Sequence, residues 1–115
     1  MNGDGGVSRD VLQRLTATIK ARRTAPDAQS YTRQLLDKGP RVCARKFGEE
    51  AIELVLAAAG EDDKAVTGEA ADVIYHLLVL LESRGVAFDS VLDALEGRKG
   101  QSGIAEKAAR PQKNA

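Results

Sequence analysis

The chain has 115 residues, 43% of them hydrophobic, and its 17 lysines and arginines are balanced by 17 aspartates and glutamates. That length holds one domain with a modest core, and zero formal charge supplies no overall field toward nucleic acid or an anionic membrane. One cysteine excludes an internal disulfide, two Phe, two Tyr and no Trp leave few platforms for single-stranded nucleic acid, and neither a signal-peptide pattern nor an apolar run of about 18 residues is present. The expectation is a cytoplasmic protein with no nucleic-acid and no membrane partner.

In chain order, residues 1–7 are glycine-rich and expected to be a flexible N-terminus. Val11, Leu12, Leu15, Thr18 and Ile19 then recur at helical spacing behind Ser8, a candidate N-cap, which predicts a first helix over about Ser8 to Arg22. Pro26 marks a loop. Ser30 can cap a short helix through about Asp37, Gly39 interrupts it, and Pro40 suits the first turn of a third helix ending near Gly60. Asp62 can start a fourth helix, stopped by Gly85 with Arg84 in its last turn, as the helix dipole favours. A fifth follows from about Phe88 or Asp89 to Glu96. Strand signals are nearly absent, so the fold class is an all-α bundle whose consecutive long helices pack antiparallel across short turns. The helical domain is expected over 8–97, with a polar C-terminal tail over 98–115. A domain this small gains stability by burying apolar surface against a second copy, which predicts a homo-oligomer.

On a helical wheel of the third helix, Phe47, Ala51, Leu54, Val55 and Ala58 fall in one core-facing arc. Ile52 and Leu56 land on the far side, which predicts a helix covered from two directions. The polar remainder is Lys46, Glu49, Glu50 and Glu53. Like charges at i and i+4, here Glu49 and Glu53, repel, so the cluster needs compensation. The fourth helix repeats the pattern: Val73, Ile74, Tyr75 and Leu77 through Leu81 make it apolar nearly all round, while Glu69, Asp72 and His76 share one narrow arc.

Glu50-x-x-Glu53 and Glu69-x-x-Asp72 each place two carboxylates one turn apart on one face, and antiparallel packing through the turn near Gly60 brings the pairs together. One reading is a solvated face paired with Lys46, Arg41 or Arg45. The other is a metal site, favoured because two acid pairs are embedded in otherwise apolar helices. Hard oxygen donors without cysteine suit Mg²⁺, with Mn²⁺ as a substitute, rather than Zn²⁺ or Cu²⁺. A di-iron site needs Glu-x-x-His on two helices, and His76 occurs once, four residues after Asp72. Lys46 shares the acidic sector and can neutralise a phosphate oxygen; Arg33, Lys38, Arg41 and Arg45 read as solvated cations. His76 either touches ligand or substrate, or is a hydrogen-bonded core residue. Ser30 and Thr32 fit a helix cap or a substrate-binding loop. Cys43 reads as a small packing residue, and there is no P-loop motif.

The stretches Ser30-Tyr31-Thr32, Lys46-Phe47-Gly48-Glu49-Glu50-Ala51-Ile52-Glu53, and Glu69-Ala70-Ala71-Asp72 through Tyr75-His76 and the following leucines resemble the phosphoribosyl-ATP pyrophosphohydrolase family. The likeness extends over about residues 8 to 110, including Ser102-Gly103-Ile104 and Glu106 to Arg110. This family lies within the wider all-α nucleotide pyrophosphohydrolases, which include MazG-like enzymes and share Glu-Glu-x-x-Glu followed by Glu-x-x-Asp. The resemblance implies a dimeric helical bundle, with Glu50, Glu53, Glu69 and Asp72 as metal ligands and Glu49 as a further ligand or a group orienting water. It implies hydrolysis of phosphoribosyl-ATP to phosphoribosyl-AMP and pyrophosphate in histidine biosynthesis, with Lys46, Ser30, Thr32 and His76 as candidate substrate-binding residues. Two alternatives remain: a housekeeping pyrophosphohydrolase acting on (d)NTPs, and a non-enzymatic helical interaction module.

Overall fold

The computed structural model describes residues 3–26 and 30–99, with side chains from residue 11 onward. It contains five helices, α1 Gly3–Arg22, α2 Tyr31–Lys38, α3 Pro40–Gly60, α4 Asp63–Arg84 and α5 Phe88–Gly97, and no strand among the described residues. The ends of α2 and α4 follow local chemistry. The Ser30 hydroxyl accepts from the Arg33 amide at the start of α2, and Asp62 Oδ1 accepts from the Ala65 amide at the start of α4. Pro40 occupies the first turn of α3, where its missing N–H costs nothing. Gly85 ends α4 with φ 71°, and the Val86 amide reaches back to the Leu81 carbonyl.

The first helix departs from expectation. It begins at Gly3, five residues before the start at Ser8 that the sequence suggests. Once the turns from Val11 onward exist, each residue added to the helix costs little. At the other end Arg98 and Lys99 form a turn after α5. The rest of the expected tail, including Ser102-Gly103-Ile104 and Glu106 to Arg110, lies outside the described residues.

The core is Ile19 from α1, Leu35 and Leu36 from α2, Cys43 from α3, and Leu78 and Val79 from α4, with Leu12, Leu15, Tyr75, Leu80 and Phe88 packed around it. Each fully buried aliphatic side chain contributes about 1.5–3 kcal/mol. Cys43 fills the α2–α3 contact and donates its thiol to the Leu35 carbonyl at 3.2 Å. Burial pushes that thiol pKa up, so it is a packing group, as its position in the sequence indicated. Arg23, just past α1, ties the first helix to the end of α4 through Glu82, whose carboxylate it meets at 2.9 Å and whose carbonyl it meets at 2.5 Å.

The pair α3 and α4 forms the backbone of the bundle. Its helices make the most extensive packing in the molecule and are joined through only Glu61 and Asp62. Their relative rotation differs from the wheel reading. Cys43 and Ala57 are the buried residues of α3, whereas Val55, Ile52 and Leu56 are 64%, 60% and 57% exposed. The face turned inward is therefore centred away from Val55 and Ala58, toward the sector that also carries Glu50. The physical reason is that several apolar directions were available on α3 and the neighbouring helices filled only one of them.

Candidate active site

Antiparallel packing of α3 on α4 brings Glu50, Glu69 and Asp72 together, each with a carboxylate oxygen within 4.8 Å of the other two. The symmetry about the turn explains this: Glu50 and Asp72 are equally far along the chain from Glu61, as are Glu53 and Glu69. Glu53 is exposed and lies outside the closest group. It is still near enough to act on Glu69. Burial raises the Glu69 pKa first, and the negative charges of Asp72, Glu53, Glu50 and Glu61 add to the rise.

Carboxylates crowded in this way call for a compensating cation. Of the three carboxylates, only Glu50 has an ion pair among the described residues, to Lys46 Nζ at 3.7 Å. Around an octahedral ion with bonds near 2.1 Å, neighbouring oxygens lie about 3.0 Å apart and opposite ones about 4.2 Å, so the three side chains would close by up to about 1–2 Å to share one small divalent cation. The donors are all carboxylate oxygens, the chemistry that favours such an ion. The group therefore suits a divalent cation in the number and type of its donors, and its side chains are close enough to gather around one.

Lys46 sits beside the group and pairs with Glu49 at 3.6 Å as well as with Glu50. Its pKa is raised, first through Tyr31 and then through Glu49 and Glu50. Glu49 is exposed, shares Lys46 with Glu50 and lies outside the three converging acids. Behind the carboxylates lies a layer of rings. His76, 6% exposed, stands edge-on to Tyr75 with centroids 4.9 Å apart and edge-on to Tyr31 at 6.0 Å. Its Nδ1 lies 2.8 Å from the Asp72 carbonyl, which can only accept, so Nδ1 carries the proton and Nε2 accepts from the Tyr31 hydroxyl at 3.1 Å. Tyr75 is hydrogen-bonded in turn to Thr32.

The family model for phosphoribosyl-ATP pyrophosphohydrolase matches residues 12–99, which takes in all of these side chains. The chain belongs to the phosphoribosyl-ATP pyrophosphohydrolase family. Among similar proteins, a phosphoribosyl-ATP pyrophosphatase of Ruegeria pomeroyi is 55% identical over 101 residues, covering 88% of this chain and 96% of the relative. One from Dinoroseobacter shibae is 56% identical over 100 residues, covering 87% and 98%. A phosphoribosyl-ATP pyrophosphatase 1 of Rhodopseudomonas palustris is 50% identical over 104 residues, covering 90% and 97%.

The remaining sequence-derived positions fall behind the acids. Ser30 is buried, and its hydroxyl is occupied by the cap and by Arg22 Nη1 at 3.2 Å. Thr32 is buried with its hydroxyl on Tyr75. His76 takes the hydrogen-bonded core position rather than an open one. Tyr31 was not singled out by residue chemistry, since nothing in its local spacing marks it. Its signals are the resemblance carried by Ser30-Tyr31-Thr32 and composition: the chain has only two tyrosines, and both lie in this ring layer.

Proposed function

We propose that this chain hydrolyses phosphoribosyl-ATP between its α and β phosphates, giving phosphoribosyl-AMP and pyrophosphate in histidine biosynthesis. The observation that carries the reading is the convergence of Glu50, Glu69 and Asp72 inside the span matched by the family model. Those three carboxylates would hold Mg²⁺, with Mn²⁺ as a substitute, and Glu53 stands close enough to complete the set from the exposed side. Bound there, the ion supplies charge neutralisation on the phosphate oxygens and acidifies the attacking water. The protein's own part is positioning. Glu49 and Glu53 border the approach to the carboxylate group and can accept a proton from an incoming water. Lys46 offers a cation to a phosphate oxygen once its acidic partners are engaged. Ser30, Thr32 and His76 act at one remove: they hold Tyr31, Tyr75 and the first turn of α2 against α4, and so fix the wall on which the nucleotide lies.

The active unit in this reading is a cytoplasmic homodimer. Ile52, Val55 and Leu56 form one exposed stripe on α3, a surface that a second copy would bury with gain. No helix of the described residues is long and apolar enough to cross a membrane.

The deciding measurement is pyrophosphate release from phosphoribosyl-ATP in competition with dUTP, dCTP and ATP, with millimolar Mg²⁺ and again with EDTA. A strong preference for phosphoribosyl-ATP that EDTA abolishes supports the reading. Preference for another nucleotide would move the protein to housekeeping triphosphate hydrolysis, and absence of any turnover would leave a helical interaction module.

A further inference from the structure

A groove of about 240 Å³ runs between α2 and α3, and Tyr31, Lys38, Arg45, Lys46 and Glu49 contribute its polar lining. Its charge is uneven. Three cations face one carboxylate, and that carboxylate, Glu49, is already paired with Lys46 at 3.6 Å. Among the described residues no hydrogen bond or ion pair engages the side chain of Lys38 or Arg45. As isolated surface residues both would be unremarkable solvated cations, which is how the sequence presents them. Folding changes this by closing α2 onto α3 through Gly39, which sets Lys38, Arg45 and Lys46 around one concavity. Like charges gathered in a concavity repel one another and raise the local concentration of anions.

The groove adjoins the carboxylate group through two of its lining residues. Lys46 lines it and also reaches Glu50 at 3.7 Å, and Tyr31 lines it while donating to His76, the residue bonded to the Asp72 carbonyl. A ligand held by the acids at its triphosphate would therefore present a neighbouring part to the cations. An arginine and two lysines have the donor set of a phosphate monoester site, with the guanidinium suited to two oxygens at once. The substrate class carries such a group at a distance from the bond that breaks: the 5-phosphate of the added ribose.

We infer that Lys38, Arg45 and Lys46, in the groove walled by the Tyr31 ring, form a subsite for a phosphate monoester, the ribose 5-phosphate of the substrate, separate from the carboxylates that serve the triphosphate. This subsite rests on the phosphoribosyl-ATP reading for its ligand, and explains how the enzyme would tell that nucleotide from an ordinary triphosphate. Loss of its cations would act on specificity.

The test uses the K38A/R45A double variant of the full chain. Both residues are exposed, so the fold should persist, and circular dichroism checks this. Ribose 5-phosphate binding is measured first by calorimetry on wild type and variant. The kinetic arm then compares phosphoribosyl-ATP with the same nucleotide lacking the 5-phosphate. The expected result is that the variant loses ribose 5-phosphate binding, that its KM for phosphoribosyl-ATP rises about tenfold or more, and that its preference over the dephosphorylated nucleotide collapses. Equal loss on both nucleotides would mean that the cations hold the triphosphate end, which overturns the assignment. An unchanged KM with unchanged ribose 5-phosphate binding would also overturn it, and leave the proposed reaction standing. If wild type binds ribose 5-phosphate through these residues but does not cleave phosphoribosyl-ATP, the subsite holds and the reading of the reaction falls.

Discussion

Tyr31 and His76, 45 positions apart, share a 3.1 Å hydrogen bond in which the phenol donates to Nε2 and thereby fixes the proton of the imidazole on Nδ1. That proton is given to the carbonyl of Asp72, so one chain of bonds runs from the first turn of α2 to the backbone of an acid in the carboxylate group. Tyr31→Phe removes the donor and leaves Nε2 of a buried histidine without its partner, a loss worth about 1–3 kcal/mol. Urea unfolding would read this directly. Turnover should also fall, by less than when a carboxylate is removed, because Asp72 keeps its charge and loses only some of its support. No change in either quantity would show that the bond is dispensable.

Geometry ranks the carboxylates. Glu50, Glu69 and Asp72 converge, and Glu53 stands off the group. Glu50→Gln, Glu69→Gln and Asp72→Asn should each lower turnover about 100-fold or more and abolish the rise in Tm that Mg²⁺ gives the wild type. Glu53→Gln should cost less on both counts. A Glu53→Gln variant as inactive as Asp72→Asn would mean that the group closes further when an ion binds.

How much of this was legible beforehand depends on range. The ends of α2, α3 and α4 were readable because Ser30, Pro40, Asp62 and Gly85 act on their own neighbours in sequence. The meeting of Glu50 with Glu69 and Asp72 was readable because a short turn makes two helices mirror one another along the chain. The rotation of α3 was not: Val55 lies in the arc that the wheel placed inward, yet it is open, since which apolar face of a helix is used depends on its partners. The bond from Tyr31 to His76 had no local signature, and the gathering of Lys38 with Arg45 depends on the turn at Gly39.

The crowding at Glu69 fixes the sign of a pH effect. Its folded pKa is raised by burial and by the charges of Asp72, Glu53 and Glu50, so the folded state holds this proton more tightly than the unfolded chain. The resulting stability is fully present below the ordinary carboxylate pKa and is lost as pH rises through the elevated one. In EDTA the Tm of wild type minus that of Glu69→Gln should therefore fall as pH rises above the ordinary carboxylate range. With Mg²⁺ the trend should reverse, because the ion competes with the proton for the same oxygens. A flat difference in EDTA would mean that the carboxylates repel one another too weakly to matter.

The exposed stripe of Ile52, Val55 and Leu56 makes a prediction about mass. Light scattering of the wild type should give twice the 12.2 kDa of one chain, and Ile52→Glu with Leu56→Glu should give a single copy. Two carboxylates in an apolar interface carry a desolvation cost that a small dimer cannot absorb. A double variant that stays dimeric would place the second copy on another face.

Gly39 links the fold to the phosphate groove, and its backbone makes the last prediction. With φ 93° and ψ 174° it lies in a region essentially open to glycine alone, whereas Gly85, at φ 71° and ψ 25°, lies in the left-handed helical region that other residues enter at smaller cost. A Cβ added at either position meets nothing within 4 Å, so the penalty of substitution is conformational rather than steric crowding by neighbours. Gly85→Ala should destabilise by about 1 kcal/mol, as at other helix ends of this type. Gly39→Ala should cost more, about 1–3 kcal/mol, or else be relieved by a shift of α2 against α3. Such a shift would move Lys38 relative to Arg45 and Lys46, so the variant's KM for phosphoribosyl-ATP should rise while Gly85→Ala leaves it near the wild-type value. Equal losses of stability in the two variants, with no change in KM, would show that the turn at Gly39 does not set the shape of the groove.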